Sequence, residues 1–110
     1  MDRNTLSVIR NYDRRVVNSA TVLAPLDQVV DCSTTTANGA YTLTLPPIDL
    51  AAGKIYSLFM SARAGTLNVT IQHHGDSLNW TNITFNLAAD HVLLYSDGVR
   101  WFTLSSAGLP

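Results

Sequence analysis

His73-His74 with Asp76, and Asp90 with His91, are the two places in this chain where residues able to bind a metal or move a proton stand close together. A metal centre needs three or four ligands converging on one point, whereas adjacent residues on a strand point to opposite faces. His73 and His74 meet at one ion only if a loop bends them together, so they read as exposed loop histidines. Nucleophilic chemistry is no better provided for. Cys32, the single cysteine, lies in the apolar run "LDQVVDCS" and fits a small buried side chain. The patterns "GxSxG" and "HExxH" and a glycine-rich phosphate loop are missing. Two aspartates at unknown separation are too little for a glycosidase. The chain is read as a non-enzyme, with no catalytic, cofactor-binding or metal-binding residue and no cofactor.

Two weaker motifs remain. Asn68-Val69-Thr70, Asn79-Trp80-Thr81 and Asn82-Ile83-Thr84 match the glycosylation acceptor, a pattern that arises by chance among eight Asn and twelve Thr. Trp80, Tyr95, Trp101 and Phe102 have the makings of a carbohydrate-stacking platform. At strand spacing, however, aromatics fit a core or an interface better, because each buries a large apolar area.

The elements that carry these residues are strands. The sequence contains no Glu and one Lys, the residues that usually cover helices, and Thr is abundant and suits a half-exposed pleated surface. "AYTLTLPP" sets Tyr41, Leu43 and Leu45 against Thr42 and Thr44, "TLNVTIQ" sets Leu67, Val69 and Ile71 against polar partners, and "ITFNLA" repeats the pattern. "KIYSLFMSA" is apolar enough to be buried on both faces. "RVVNSATVLA" and "LDQVVDCS" add two more strands, and "IDLAAG" reads as a helical turn or loop ended by Gly53. The most legible stretch is "ADHVLLYSDGVRWFTL", residues 89 to 104. Asp97-Gly98 between apolar runs predicts a tight hairpin with a type I′ turn, and Trp101 is expected in a core or subunit interface. About eight short strands then form a small antiparallel β-sandwich, jelly-roll-like, or a β-barrel. Residues 1–14 form an irregular N-terminal arm and 15–110 the β-domain.

Charge is sparse. Charged residues make up 14% of the chain against roughly 25% in typical globular proteins. The net charge of −1 gives no drive toward nucleic acid or membranes, and low charge weakens the repulsion that keeps proteins monomeric. Four of the seven basic residues, Arg3, Arg10, Arg14 and Arg15, stand in the first fifteen positions. They are too dispersed for a nucleic-acid patch and suit an arm that orders against carboxylates on a partner. With no apolar leader at its start, no bilayer-length run and no possible intrachain disulfide, the chain is expected to be soluble, unprocessed and at home in a reducing cytoplasm.

The succession "ANGAYTLTLPP", "AAGKIYSLFMSARAGTLNVTIQHHGDSLNW" and "ITFNLAADHVLLYSDGVRWFTL" resembles a pattern in virion proteins of tailed bacteriophages. There a strand ending in Leu-Pro precedes a Gly-(Lys)-aromatic strand, a "vtI…GD" segment and a terminal "l-x-SDG-x-x-W" hairpin. The likeness covers about residues 37 to 104 and is carried most by Ser96-Asp97-Gly98 with Trp101. It is similar to the head decoration (cement) and head-fibre group, small β-rich modules that stand as trimers on capsids. The resemblance implies a homotrimer on the capsid exterior, assembled in the host cytoplasm, with the major capsid protein as its partner and neither nucleic acid nor membrane bound. A head-fibre or tail-appendage component stays open, as does a module that binds carbohydrate or a host surface.

Overall fold

The computed structural model describes residues 14–76 and 80–107. Nine strands make two sheets, and no helix occurs among the described residues. The five-stranded sheet contains, in spatial order, β1 (Arg15–Val17), β3 (Val29–Cys32), β5 (Ile55–Phe59), β8 (His91–Ser96) and β9 (Trp101–Ala107). The four-stranded sheet contains β2 (Thr21–Val22), β4 (Tyr41–Thr44), β6 (Val69–Gln72) and β7 (Ile83–Phe85).

From β1 to β6 the chain alternates between the two sheets like a flattened coil. Each strand therefore lies beside the strand two places earlier and parallel to it: β1 with β3, β3 with β5, β2 with β4, β4 with β6. Parallel neighbours need a long return path, and here a strand of the opposite sheet supplies it. Only the last third folds back on itself, pairing β6 with β7, β5 with β8 and β8 with β9 antiparallel. The all-β expectation holds, with two corrections. The sheets are mixed rather than antiparallel and jelly-roll-like, and the sandwich is not closed into a barrel. The cause lies in the connections. Residues 33–40 and 45–54 carry the chain across the core instead of turning it beside the strand it has left. The second of these is a compact turn in which the amides of Leu50 and Ala51 donate to the Pro47 carbonyl (both 3.1 Å) and Gly53, at φ +78°, ends the turn.

The inner faces follow the apolar periodicity. Tyr41, Leu43, Val69, Ile71 and Phe85 of the smaller sheet meet Val30, Tyr56, Leu58, Val92, Leu94 and Trp101 of the larger in one core. Trp101 is 1% exposed and packs edge-to-face on Tyr56, with ring centroids 5.6 Å apart. "KIYSLFMSA" departs from expectation, because Tyr56, Leu58 and Met60 are buried while Ile55 is 46% exposed and Phe59 half-buried. One side of that strand has no covering element among the described residues.

Candidate interaction surface

Three rows of side chains cross the outer face of the five-stranded sheet, fixed by the strand registers. Ile55 stands opposite Tyr95, and Tyr95 opposite Phe102. The next row runs Val29, Ser57, Leu93 and Ser105, and the third runs Val16, Asp31, Phe59 and His91. Period-2 alternation makes the solvent side of a sandwich polar, yet seven of these side chains are aliphatic or aromatic. Val16, Ile55 and Phe102 are exposed, and Val29, Phe59, Leu93 and Tyr95 are half-buried. A shallow depression of about 290 Å³, lined by Gln28, Val29, Ile55 and Ser57, indents the middle of the face.

The one carboxylate on this face is withdrawn from water. Asp31 is 3% exposed and accepts hydrogen bonds from the Ser61 amide (3.1 Å), the Ser61 hydroxyl (2.6 Å) and the Ser33 hydroxyl (3.0 Å), and the Arg14 guanidinium lies 4.0 Å away. Three hydrogen bonds and the nearby guanidinium satisfy the charge locally, so Asp31 ties β3 to the chain beyond β5 and leaves little field outside. Behind it, burial, and secondarily the Asp31 charge, push the Cys32 thiol up to about 12. Its Sγ donates to the Phe59 carbonyl at 3.2 Å. As the sequence suggested, Cys32 is fully buried, and a thiol held neutral there is a packing group rather than a nucleophile.

At the rim, β9 has β8 as its only strand partner among the described residues. After Trp101 every residue from Phe102 to Ser106 is exposed, on both faces of the strand. On the inner face the reason is the strand count, since a four-stranded sheet does not reach the fifth strand. A bulge between Leu93 and Leu94 leaves Leu104 as the extra residue, 52% exposed. No charged residue and no Pro guards this edge, the devices that usually keep an edge strand from pairing.

The predicted residues fall into place unevenly. Arg3 and Arg10 lie outside the described residues. Arg14 faces Asp31, and Arg15 forms an ion pair with Asp27, whose carboxylate also caps the Ala24 amide at 2.8 Å. Half of the proposed cationic set is thus engaged within its own chain, although both arginines remain exposed. The hairpin exists, but its turn is longer than a type I′ turn. Ser96 pairs with Trp101, which leaves a four-residue loop, and of Asp97 and Gly98 only Gly98 has positive φ, at +93°. The Asp97 carboxylate accepts the amides of Arg100 (2.7 Å) and Val99 (2.8 Å), and these bonds hold it below the usual aspartate range. Such an Asx-type turn does the work assigned to the two-residue turn.

The histidines converge on nothing. His73 Nδ1 accepts the Gly75 amide, Asp76 accepts the Ile48 amide at 2.7 Å, and buried Asp90 accepts the amides of Asn86 and Leu87. Among the described residues no three metal-type side chains gather, and no helix is long and apolar enough to cross a membrane. The four aromatics divide: Trp101 is in the core, Trp80 packs partly buried against it, and Tyr95 and Phe102 stand side by side outside. The apolar face was missed in the sequence because "KIYSLF" was read as wholly buried, although apolar residues at both parities with no covering element to spare were its signal. No family model, curated protein or solved structure matches the chain.

Proposed function

We propose that this chain is a structural protein of a tailed-bacteriophage virion, a decoration protein that binds the outside of the major capsid lattice as a homotrimer and stabilises it. The observation that carries the reading is the uncovered apolar face on the five-stranded sheet. A freely diffusing monomer with this face risks aggregation, whereas a subunit held in a permanent assembly keeps it covered. The resemblance of residues 37 to 104 to decoration and head-fibre modules names the assembly. Binding only to the assembled lattice favours that lattice by mass action, without any catalytic step.

The reading separates two contacts. A sheet face poor in charge suits a constant neighbour, and the arm, with Arg3 and Arg10, suits carboxylates on capsid subunits. Purified protein is expected to co-sediment saturably with capsids that lack it and to raise the temperature at which empty capsids break. Protein left in the supernatant at saturating concentration sinks the reading. Removal of residues 1–13, which spares the Arg14–Asp31 contact, is expected to leave the β-domain folded and to weaken attachment sharply. The pairing of Tyr95 with Phe102 favours one alternative, a glycan-binding module. That alternative takes over if Phe102→Ala abolishes binding to host-cell surfaces by a protein that ignores capsids.

A further inference from the structure

We infer that the outer face of the five-stranded sheet, centred on Ile55, Tyr95 and Phe102, is the surface through which copies of this chain bind one another. The inference stands apart from the copy number in the proposed function: a face laid on its own copy closes as a pair, and three copies require each face to be shared between two neighbours around a three-fold axis.

Two observations select a second copy over a different partner. The first is charge. The three rows carry little charge: Asp31 is buried under its hydroxyl and amide donors with the Arg14 guanidinium 4.0 Å away, and exposed His91 at the end of the third row is the other titratable group besides the Tyr95 phenol. Identical surfaces carrying like charges repel, so a surface poor in charge suits its own copy. A capsid lattice selected by charge would instead meet the basic arm. The second is area. With strands about 4.8 Å apart and about 3.3 Å per residue, five strands by five residues project roughly 400 Å². Two such faces cover roughly 800 Å² before side-chain relief is counted, which brings a pair to the roughly 1,000 Å² that a specific interface requires. Strand β9, one of the five, brings Leu104 to the rim of the face beside Phe102, along an edge that no other strand pairs among the described residues. Contact between copies covers the exposed aromatic row and the open edge together, and the threonine-covered sheet is left facing water.

The test uses the full-length chain without capsids. Light scattering across low to high micromolar concentration is expected to give a multiple of the single-chain mass. Phe102→Asp and Ile55→Asp each place a carboxylate at the centre of the contact, and each is expected to raise the dissociation constant about a hundredfold or more. Val22→Asp, at an exposed apolar position on the outer side of the other sheet, is expected to leave the mass unchanged. Circular dichroism and the emission of buried Trp101 establish that each variant is folded. A wild-type protein that stays a single chain at high micromolar concentration overturns the inference, as do folded Phe102→Asp and Ile55→Asp variants that keep the full mass. If the wild type is a single chain and Phe102→Asp loses capsid binding, the occupant of the face is the capsid and not a copy. A multimer that ignores capsids refutes the proposed function and leaves the interface standing, and a mass of two chains refutes the trimer alone.

Discussion

The two sheets share one core and turn different surfaces to the outside. On the four-stranded sheet the outward positions are Thr42, Thr44, Thr70, Gln72 and Thr84, with Val22 the one exposed apolar side chain. On the five-stranded sheet the corresponding positions include Val16, Val29, Ile55, Phe59, Leu93, Tyr95 and Phe102, with Asp31, Ser57, His91 and Ser105 between them. Both sets sit on pleated strands with buried inner neighbours, so backbone preference cannot explain the contrast. Threonine satisfies a strand's liking for β-branched side chains while giving water a hydroxyl. A face of Ile, Phe and Leu satisfies the same preference and gives water nothing. The difference is what solvent is meant to reach.

The largest expected effect attacks what the two sheets have in common. Burial raises the Cys32 thiol and the Tyr56 phenol each to about 12 and pushes the Tyr41 phenol up as well, and all three lie between the sheets. A folded-state value above the unfolded one means that the proton favours the fold. That stability is whole below the unfolded values, about 8.5 for a thiol and about 10 for a phenol, and drains away as the pH rises through the folded ones. Alkaline titration followed by circular dichroism is expected to show cooperative loss of both sheets between about pH 9 and 12. Unfolding of one sheet alone would break the picture of a single core.

Next in size is a contrast between adjacent residues. Trp101 points inward and Phe102 outward on the same strand. Trp101→Ala is expected to cost about 3–5 kcal/mol in urea unfolding, the range for a large aromatic removed from a packed core. The loss caused by Phe102→Ala is expected to be smaller and, unlike that of Trp101→Ala, to fade as the protein is diluted. Equal costs at every dilution would mean that the outer face is already covered within one chain.

Gly98→Val tests the loop that brings Trp101 into the core. Gly98 has φ +93°, and a Cβ there would lie 3.1 Å from the Cβ of Ala52, a side chain with no torsion to relieve the contact. The left-handed conformation alone costs about 1–2 kcal/mol for an ordinary residue. A stability loss at or above that range is expected, read from the urea midpoint. An unchanged midpoint would show that the loop rearranges freely and does not fix Trp101.

The smallest effect belongs to the wet face. Thr44→Val and Thr70→Val exchange a hydroxyl for a methyl at half-buried outer positions and are expected to change stability by no more than about 0.5 kcal/mol. Their effect is expected on solubility instead, which should fall as the second face comes to resemble the first. If both variants stay as soluble as the wild type, apolarity of an outer face is not what marks the five-stranded sheet for contact.

The sequence by itself determined the strand content, the inner faces of β4 and β6, the burial of Cys32 and the presence of a hairpin closed around Ser96-Asp97-Gly98. Each is written in local order, as an alternation of apolar and polar residues or as a turn residue at the right spacing. Local order does not say which strand lies beside which. The alternation of "AYTLTLP" is the same whether the next strand returns beside it or crosses the core, so the parallel pairing of β4 with β2 and β6 emerged only in the structure. Tertiary structure also decided which of three consecutive-looking aromatics, Tyr95, Trp101 and Phe102, enters the core, and that Arg14 and Arg15 meet Asp31 and Asp27. It decided as well that "KIYSLF" is buried on one side only. The physical reason is common to all of these. Burial of a given face depends on whether another element exists to cover it, and among the described residues no element lies over the outside of β5, β8 and β9.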